Sequence, residues 1–292
     1  METSSKNNTK YNIKYNIKAL VFEGGGVLGT AHIGALHEAT KHFDISQITH
    51  FSGSSVGSIM AALCACRIPI DKINEAVNAI DFKKLLDDDI GVVRDMNRLW
   101  KHFGYYKGNE LEKTVGNILE KYIDDRDITL GEAYKKYNSY LIIPVTEVYK
   151  SFCKTKYFTP DSDPDEKIKS IVRYSSSYPF VFASKNNYSD GGVLDNYPIK
   201  KMTEYISLNN ILGFKFKHDK DLTERPNNVI DFSSALINGL RKKANSLSDE
   251  ELKQSITIRT FKYSVIDFNI TDEDKKIIFD YGTNGAIDFF KV

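Results

Sequence analysis

Between Lys18 and Cys66 the chain twice runs from a short apolar segment through a glycine turn into a helical pattern, an arrangement that few folds accommodate. The first apolar segment, Ala19 to Phe22, breaks into Gly24-Gly25-Gly26, after which Thr30 to His42 places Ile33, Leu36 and Ala39 at helical spacing. The second, Ile48 to Phe51, breaks into Gly53-Ser54-Ser55-Val56-Gly57. It leads into Ser58 to Cys66, which is apolar nearly all round and so is expected to be buried. The first segment lacks polar alternation, as a strand does when both faces of a parallel sheet are covered. Strands keep alternating with helices downstream, which predicts one α/β domain with a mixed, mainly parallel sheet flanked by helices.

Further helices are expected over 104–122 and 129–137, and strands over 141–148 and 152–158, with Pro144 at a bulge or near an edge. A helix opened by Asp161 to Asp165, with Pro164 in its first turn, runs toward Ser175-Ser176-Ser177. A strand over 210–217, a helix over 232–245 and a strand over 256–261 precede a C-terminal helix over 272–290, capped by Thr271 with Asp274. Residues 81–103 carry two apolar stripes, read as a cap on the core or a lid over an apolar pocket. Residues 1–16 read as a flexible polar tail and 17–292 as the domain, with its motifs over 19–217.

The chain has 292 residues, 41% of them apolar, enough for a sizeable core. A net charge of +1 gives no overall pull toward nucleic acid or anionic membrane, so any membrane contact has to be local and apolar. No signal peptide is visible, and the longest apolar stretch, Ile59 to Cys66, is too short to span a bilayer. Three cysteines build neither a disulfide framework nor a metal knuckle, which points to a reducing, cytoplasmic setting; no metal-ligand cluster is visible, and neither a metal nor a cofactor is expected. Lys83-Lys84 and Arg241-Lys242-Lys243 could touch anionic lipid, but short charge runs of this kind are usually solvated faces.

Gly24-Gly25-Gly26-Val27-Leu28-Gly29 fits the glycine pattern of a dinucleotide cradle, but the second strand ends in Phe51-Ser52-Gly53 without the acid that holds a ribose. Its other use is an oxyanion hole, in which unshielded glycine N–H groups face a developing negative charge. Gly53-Ser54-Ser55-Val56-Gly57 fits a nucleophile elbow, with Ser55 at a strand-to-helix bend and the Val56 N–H beside it. A serine nucleophile needs a base. Of the six histidines only His218 follows Asp190, and it sits in a charged strand end; His32 reads as a packing residue in the first helix. Asp190, on the turn Asp190-Gly191-Gly192, is the best-placed carboxylate.

Taken together, EGGGVLG, GSSVG and DGG followed by Asn196-Tyr197-Pro198-Ile199 resemble the patatin-like phospholipases. The similarity extends through His32-Ile33-Gly34 and the segment Val172 to Phe182, and covers roughly Ile17 to Phe216. The resemblance implies a three-layer patatin-like fold and a Ser55–Asp190 dyad that cleaves fatty-acyl esters through an acyl-enzyme, as a phospholipase A-type hydrolase. It implies an oxyanion hole at Gly25 and Gly26 with support from Gly24 and Val56, and structural roles for Gly53, Gly57, Gly191 and Gly192. Many members carry Arg or Lys where this chain has Leu28, so anion binding at that position is not expected. Trp100, Tyr105 and Tyr106 are candidate substrate contacts. The expected partner is a lipid surface touched peripherally, with no nucleic acid and no transmembrane segment. Three rivals remain: a Ser-His-Asp esterase using His218, a non-catalytic lipid-binding relative, and a nucleotide-binding domain.

Overall fold

A computed structural model describes residues 15–87, 103–217, 225–227, 229–244, 246–261, 263–265 and 267–291. Trp100, His102, His218, nearly all of the expected tail and the 88–102 part of the apolar stripes lie outside the described residues. In chain order the strands are β1 (Ala19–Phe22), β2 (His50–Gly53), β3 (Gly104–Tyr106), β4 (Tyr140–Val148), β5 (Cys153–Phe158), β6 (Phe180–Phe182), β7 (Tyr188–Ser189), β8 (Ile211–Lys217) and β9 (Ser255–Arg259). The helices are α1 (Gly29–Ala39), α2 (Val56–Ala65), α3 (Ile70–Asn78), α4 (Phe82–Leu85), α5 (Asn109–Ile123) and α6 (Leu130–Tyr137). They continue with α7 (Ile168–Ser175), α8 (Ile199–Met202), α9 (Val229–Ala244), α10 (Asp249–Lys253) and α11 (Asp272–Phe290).

The main sheet runs in the order β5-β4-β2-β1-β8-β9, with β7 also paired to β4. Strands β4, β2, β1, β8 and β9 are parallel, and β5 and β7 lie antiparallel to β4. All four residues of β1 are buried, because alternate side chains serve two cores. Leu20 and Phe22 enter the larger one with α1 and α2, while Ala19 and Val21 pack on the opposite face with Tyr197, Ile199 and Met202. The architecture is therefore helix, sheet, helix, a mixed and mainly parallel α/β fold.

Two expectations need correction. Residues 104–106 form β3 instead of the start of a helix, pairing in parallel with β6, and α5 begins only after Gly108, which stands at φ +73°. The acid run Asp161 to Asp165 does not open a helix: α7 starts at Ile168, after Lys167 in an extended conformation. Pro144 lies one strand in from the edge, opposite Tyr157 of the edge strand β5, and the pairing of β2 with β4 ends before it, at Ser52 opposite Ile142.

Helix α11 begins at the expected capping box, the Asp274 N–H donating to Thr271 Oγ1 at 3.1 Å and the Thr271 N–H to Asp274 Oδ2 at 2.9 Å. It crosses α1 at two glycines: a Cβ on Gly34 would overlap the Phe279 carbonyl, and one on Gly282 the Ala31 carbonyl. Helix propensity alone favours alanine over glycine by about 1 kcal/mol, but here the obstruction is backbone that moves only if the helices part. Gly282→Ala is therefore expected to destabilise the protein by about 1–3 kcal/mol, read as a lower urea midpoint at unchanged slope.

Candidate active site

Ser55 joins the end of β2 to the start of α2 at φ 52° and ψ −127°, a region that residues with a side chain rarely occupy. Close backbone packing holds it there. A Cβ on Gly53 would overlap the Gly57 carbonyl, and one on Gly57 would overlap the carbonyl of Phe22 in β1. The Ser55 N–H donates to Ser175 Oγ at 3.1 Å, and that hydroxyl in turn donates to the Pro144 carbonyl at 2.7 Å. The bend is thus tied to both α7 and β4. The neighbouring Ser54 hydroxyl is buried without a partner against the Gly191 turn, on the other side of the strand end.

The glycine loop passes beside this bend. Gly26 stands at φ +54°, and a Cβ there would overlap the Val265 carbonyl. Among the described residues the N–H groups of Gly25, Gly26 and Val56 have no acceptor, and all three residues line the same cleft as Ser55. Gly24 differs from the expectation: its N–H donates to the Asn196 carbonyl at 3.0 Å and is not free for an oxyanion. Its role is spatial, since a Cβ would overlap Asn196 Oδ1 and press on Ser55. Leu28 is wholly buried in the core, so the loop offers no cation.

Asp190 opens a 3-10 turn, Gly191–Val193, with its N–H donating to the Ser177 carbonyl and its carbonyl accepting from Thr146 Oγ1, both at 2.9 Å. Its Oδ1 accepts the Gly192 N–H at 2.7 Å. The side chain is buried, and burial pushes its pKa from 3.8 up to about 6. The Ser55 hydroxyl, the Gly192 N–H and the charge of Arg241 act in the opposite direction. Oδ2 has no hydrogen bond of regular geometry, so the Ser55 hydroxyl stands in range of the carboxylate without being locked to it. Gly191 and Gly192 are required here because a Cβ would overlap the Pro144 carbonyl and Asn196 Oδ1 respectively.

Ser55, Asp190 and the free N–H groups share a cleft with apolar walls from Ile59, Phe82, Leu85, Leu111, Val181 and Phe268. The family model described as Patatin-like phospholipase matches residues 20–202. The chain belongs to the patatin-like phospholipase family. It is accordingly a lipid-hydrolysing enzyme. An uncharacterized protein, R571, of Acanthamoeba polyphaga mimivirus is 30% identical over 282 residues, 91% of each chain. A protein named probable lipid hydrolase 463L of Invertebrate iridescent virus 6 is 28% identical over 202 residues, 66% of each. Among solved structures, VipD of Legionella pneumophila superposes with a TM-score of 0.64 at 18% identity, covering 94% of this chain and 67% of that one, which is a likeness of fold.

In this patatin-like phospholipase none of the four described histidines lines the cleft. His32 is fully buried, and desolvation depresses its pKa to about 4, so the neutral ring donates through Nε2 to the Glu23 carbonyl at 2.7 Å. It anchors the start of the glycine loop. Tyr105 and Tyr106 are not among the residues lining the cleft; Tyr106 stands behind Phe182, ring centroids 6.3 Å apart. Among the described residues no group of three or more His, Cys, Asp or Glu is placed to hold a metal, and no helix is long and apolar enough to cross a membrane.

Three residues carry structural weight that motif reading did not assign. Asn196 donates from Nδ2 to the Gly24 carbonyl at 3.0 Å and packs Oδ1 against Gly192, tying the loop to the aspartate turn. Arg241 lines the cleft instead of belonging to a solvated charge run. Ser175 fixes the Ser55 bend, and its only signal in the sequence is the serine run at the end of α7. Ser175→Ala is expected to lower kcat roughly 10-fold with KM little changed, since it releases the Ser55 N–H without touching the cleft walls. Steady-state kinetics on a short-chain ester would check this, and an effect confined to KM would contradict it.

Proposed function

We propose that this enzyme hydrolyses fatty-acyl ester bonds of phospholipids as a phospholipase A-type acyl hydrolase, with Ser55 as nucleophile and Asp190 as base. The observation that carries the proposal is Ser55, strained at a strand-to-helix bend, in range of a buried carboxylate with one unpaired oxygen and next to three free N–H groups. Asp190 takes the Ser55 proton as Oγ attacks the ester carbonyl. The Gly25, Gly26 and Val56 N–H groups, helped by the positive end of α2, hold the resulting oxyanion. Collapse breaks the bond to the alcohol, which leaves with the proton from Asp190. Water then attacks the acyl-enzyme, giving its proton to Asp190, and the tetrahedral intermediate collapses with cleavage of the Ser55 Oγ–acyl bond, Asp190 returning the proton to Oγ as the fatty acid departs. The family name and the lipid-hydrolase name of the iridovirus relative support a lipid ester as substrate.

Burial supplies what a carboxylate lacks as a base, because a group titrating near 6 binds a proton more willingly than one at 3.8. Activity requires the ionised form, so kcat/KM is expected to rise with pH through a limb near 6. The stability consequence has the opposite sign. The folded state holds the Asp190 proton more tightly than the unfolded chain, so there is no penalty below about pH 4. The penalty grows between 4 and 6 and is full above 6, at about 3 kcal/mol. Asp190→Asn is therefore expected to abolish turnover, by roughly a thousandfold or more, yet to raise the melting temperature at pH 8 and leave it unchanged at pH 4. Ser55→Ala should lose the same activity, whereas His218→Ala should keep it. Loss in His218→Ala to the level of Ser55→Ala would favour the triad rival.

A further inference from the structure

Helix α9 brings a guanidinium into the cleft. Asp190 and Arg241 are the charged side chains among the described residues that line it, and Arg241 lies near enough for its charge to act on both Asp190 and Tyr178. Nη2 of Arg241 donates to Asn238 Oδ1 at 2.6 Å, and Asn238 lines the cleft too. The Nε–H is buried and has no acceptor, whereas the Nη2 bond to Asn238 is exposed to solvent. The side chain is only partly buried, so its guanidinium is open to an anion that enters the cleft.

We propose that Arg241, oriented by Asn238, is the headgroup subsite of this enzyme and receives the phosphodiester of a phospholipid whose acyl ester lies at Ser55. This rests on the reading of Ser55 as nucleophile. A planar guanidinium presents paired N–H donors to two phosphate oxygens at once, a fit that neither a lysine nor an amide reproduces. In a glycerophospholipid the phosphate hangs a few bonds from the scissile ester, so one molecule reaches both groups. A neutral diacylglycerol brings no anion to the guanidinium, so the same residue favours phospholipids over neutral glycerides. The glycine loop contributes no competing cation, because Leu28 is sealed in the core.

The test compares kcat/KM for monomeric dihexanoylphosphatidylcholine and dihexanoylglycerol in the wild type, Arg241→Gln and Arg241→Lys. It is run at pH 8.5, above the Asp190 limb, so that loss of the Arg241 field on Asp190 does not enter. The phospholipid-to-glyceride ratio is expected to fall roughly 10- to 100-fold in Arg241→Gln and to recover in part in Arg241→Lys. An unchanged ratio, with both substrates lowered together or neither, would overturn the proposal. Failure of the Ser55 reading looks different, since both substrates would still turn over in Ser55→Ala. The subsite is also read without turnover, by calorimetric titration of dihexanoylphosphatidylcholine into Ser55→Ala with and without Arg241→Gln. Equal affinities there would overturn it as well.

Discussion

Backbone meets backbone at the centre of this molecule, with no side chain between. Gly57 packs on the Phe22 carbonyl, Gly53 on the Gly57 carbonyl, Gly191 on the Pro144 carbonyl, and Gly24 against the Ser54–Ser55 link. These contacts bring the ends of β1 and β2 against the middle of β4, and at Gly53, Gly57 and Gly191 they leave no room for a methyl group. The three strands pair in parallel, and the glycine loop after β1, the Ser55 bend after β2 and the Asp190 turn after β7 meet at that point. The strained Ser55 conformation persists because its surroundings leave it no other.

Hydrogen bonds then fix what the glycines bring together. Asn196 fastens the loop to the aspartate turn, His32 fastens the loop to α1, and Ser175 fastens the bend to α7 and β4. None of these groups needs to titrate near neutrality. The exception is Asp190, whose buried carboxylate is held above its ordinary range. Stability is lost where the proposed chemistry gains a base, a trade common at active sites. Helix α11 contributes from outside the matched family region by packing its own glycine on α1, which carries His32.

Much of this was legible in the chain itself. Two glycine turns between strand and helix determine the parallel sheet, since both the missing polar alternation of Ala19 to Phe22 and the glycine spacings are local signals. The Thr271–Asp274 cap was readable for the same reason. Less local features were not. Gly104-Tyr105-Tyr106 looks helical beside the strong pattern of α5, and only pairing with β6, over seventy residues away, makes it a strand. The acids of Asp161 to Asp165 look like a helix cap, yet the helix waits for Ile168, the first residue that enters the core there. Gly24 reads as a third oxyanion donor until its N–H is seen on Asn196, and Arg241 reads as surface charge until α9 is laid over the cleft. In each case the deciding partner is distant in sequence.

The claim on which the account turns is that Ser55, and not the adjacent Ser54, attacks the ester. Treatment with a fluorophosphonate lipid analogue followed by peptide mass mapping tests it directly. The account predicts a single adduct on Ser55, formed faster as pH rises through about 6 and absent from Asp190→Asn. An adduct on Ser54, or labelling of Ser55 that proceeds equally well without the Asp190 carboxylate, would contradict it.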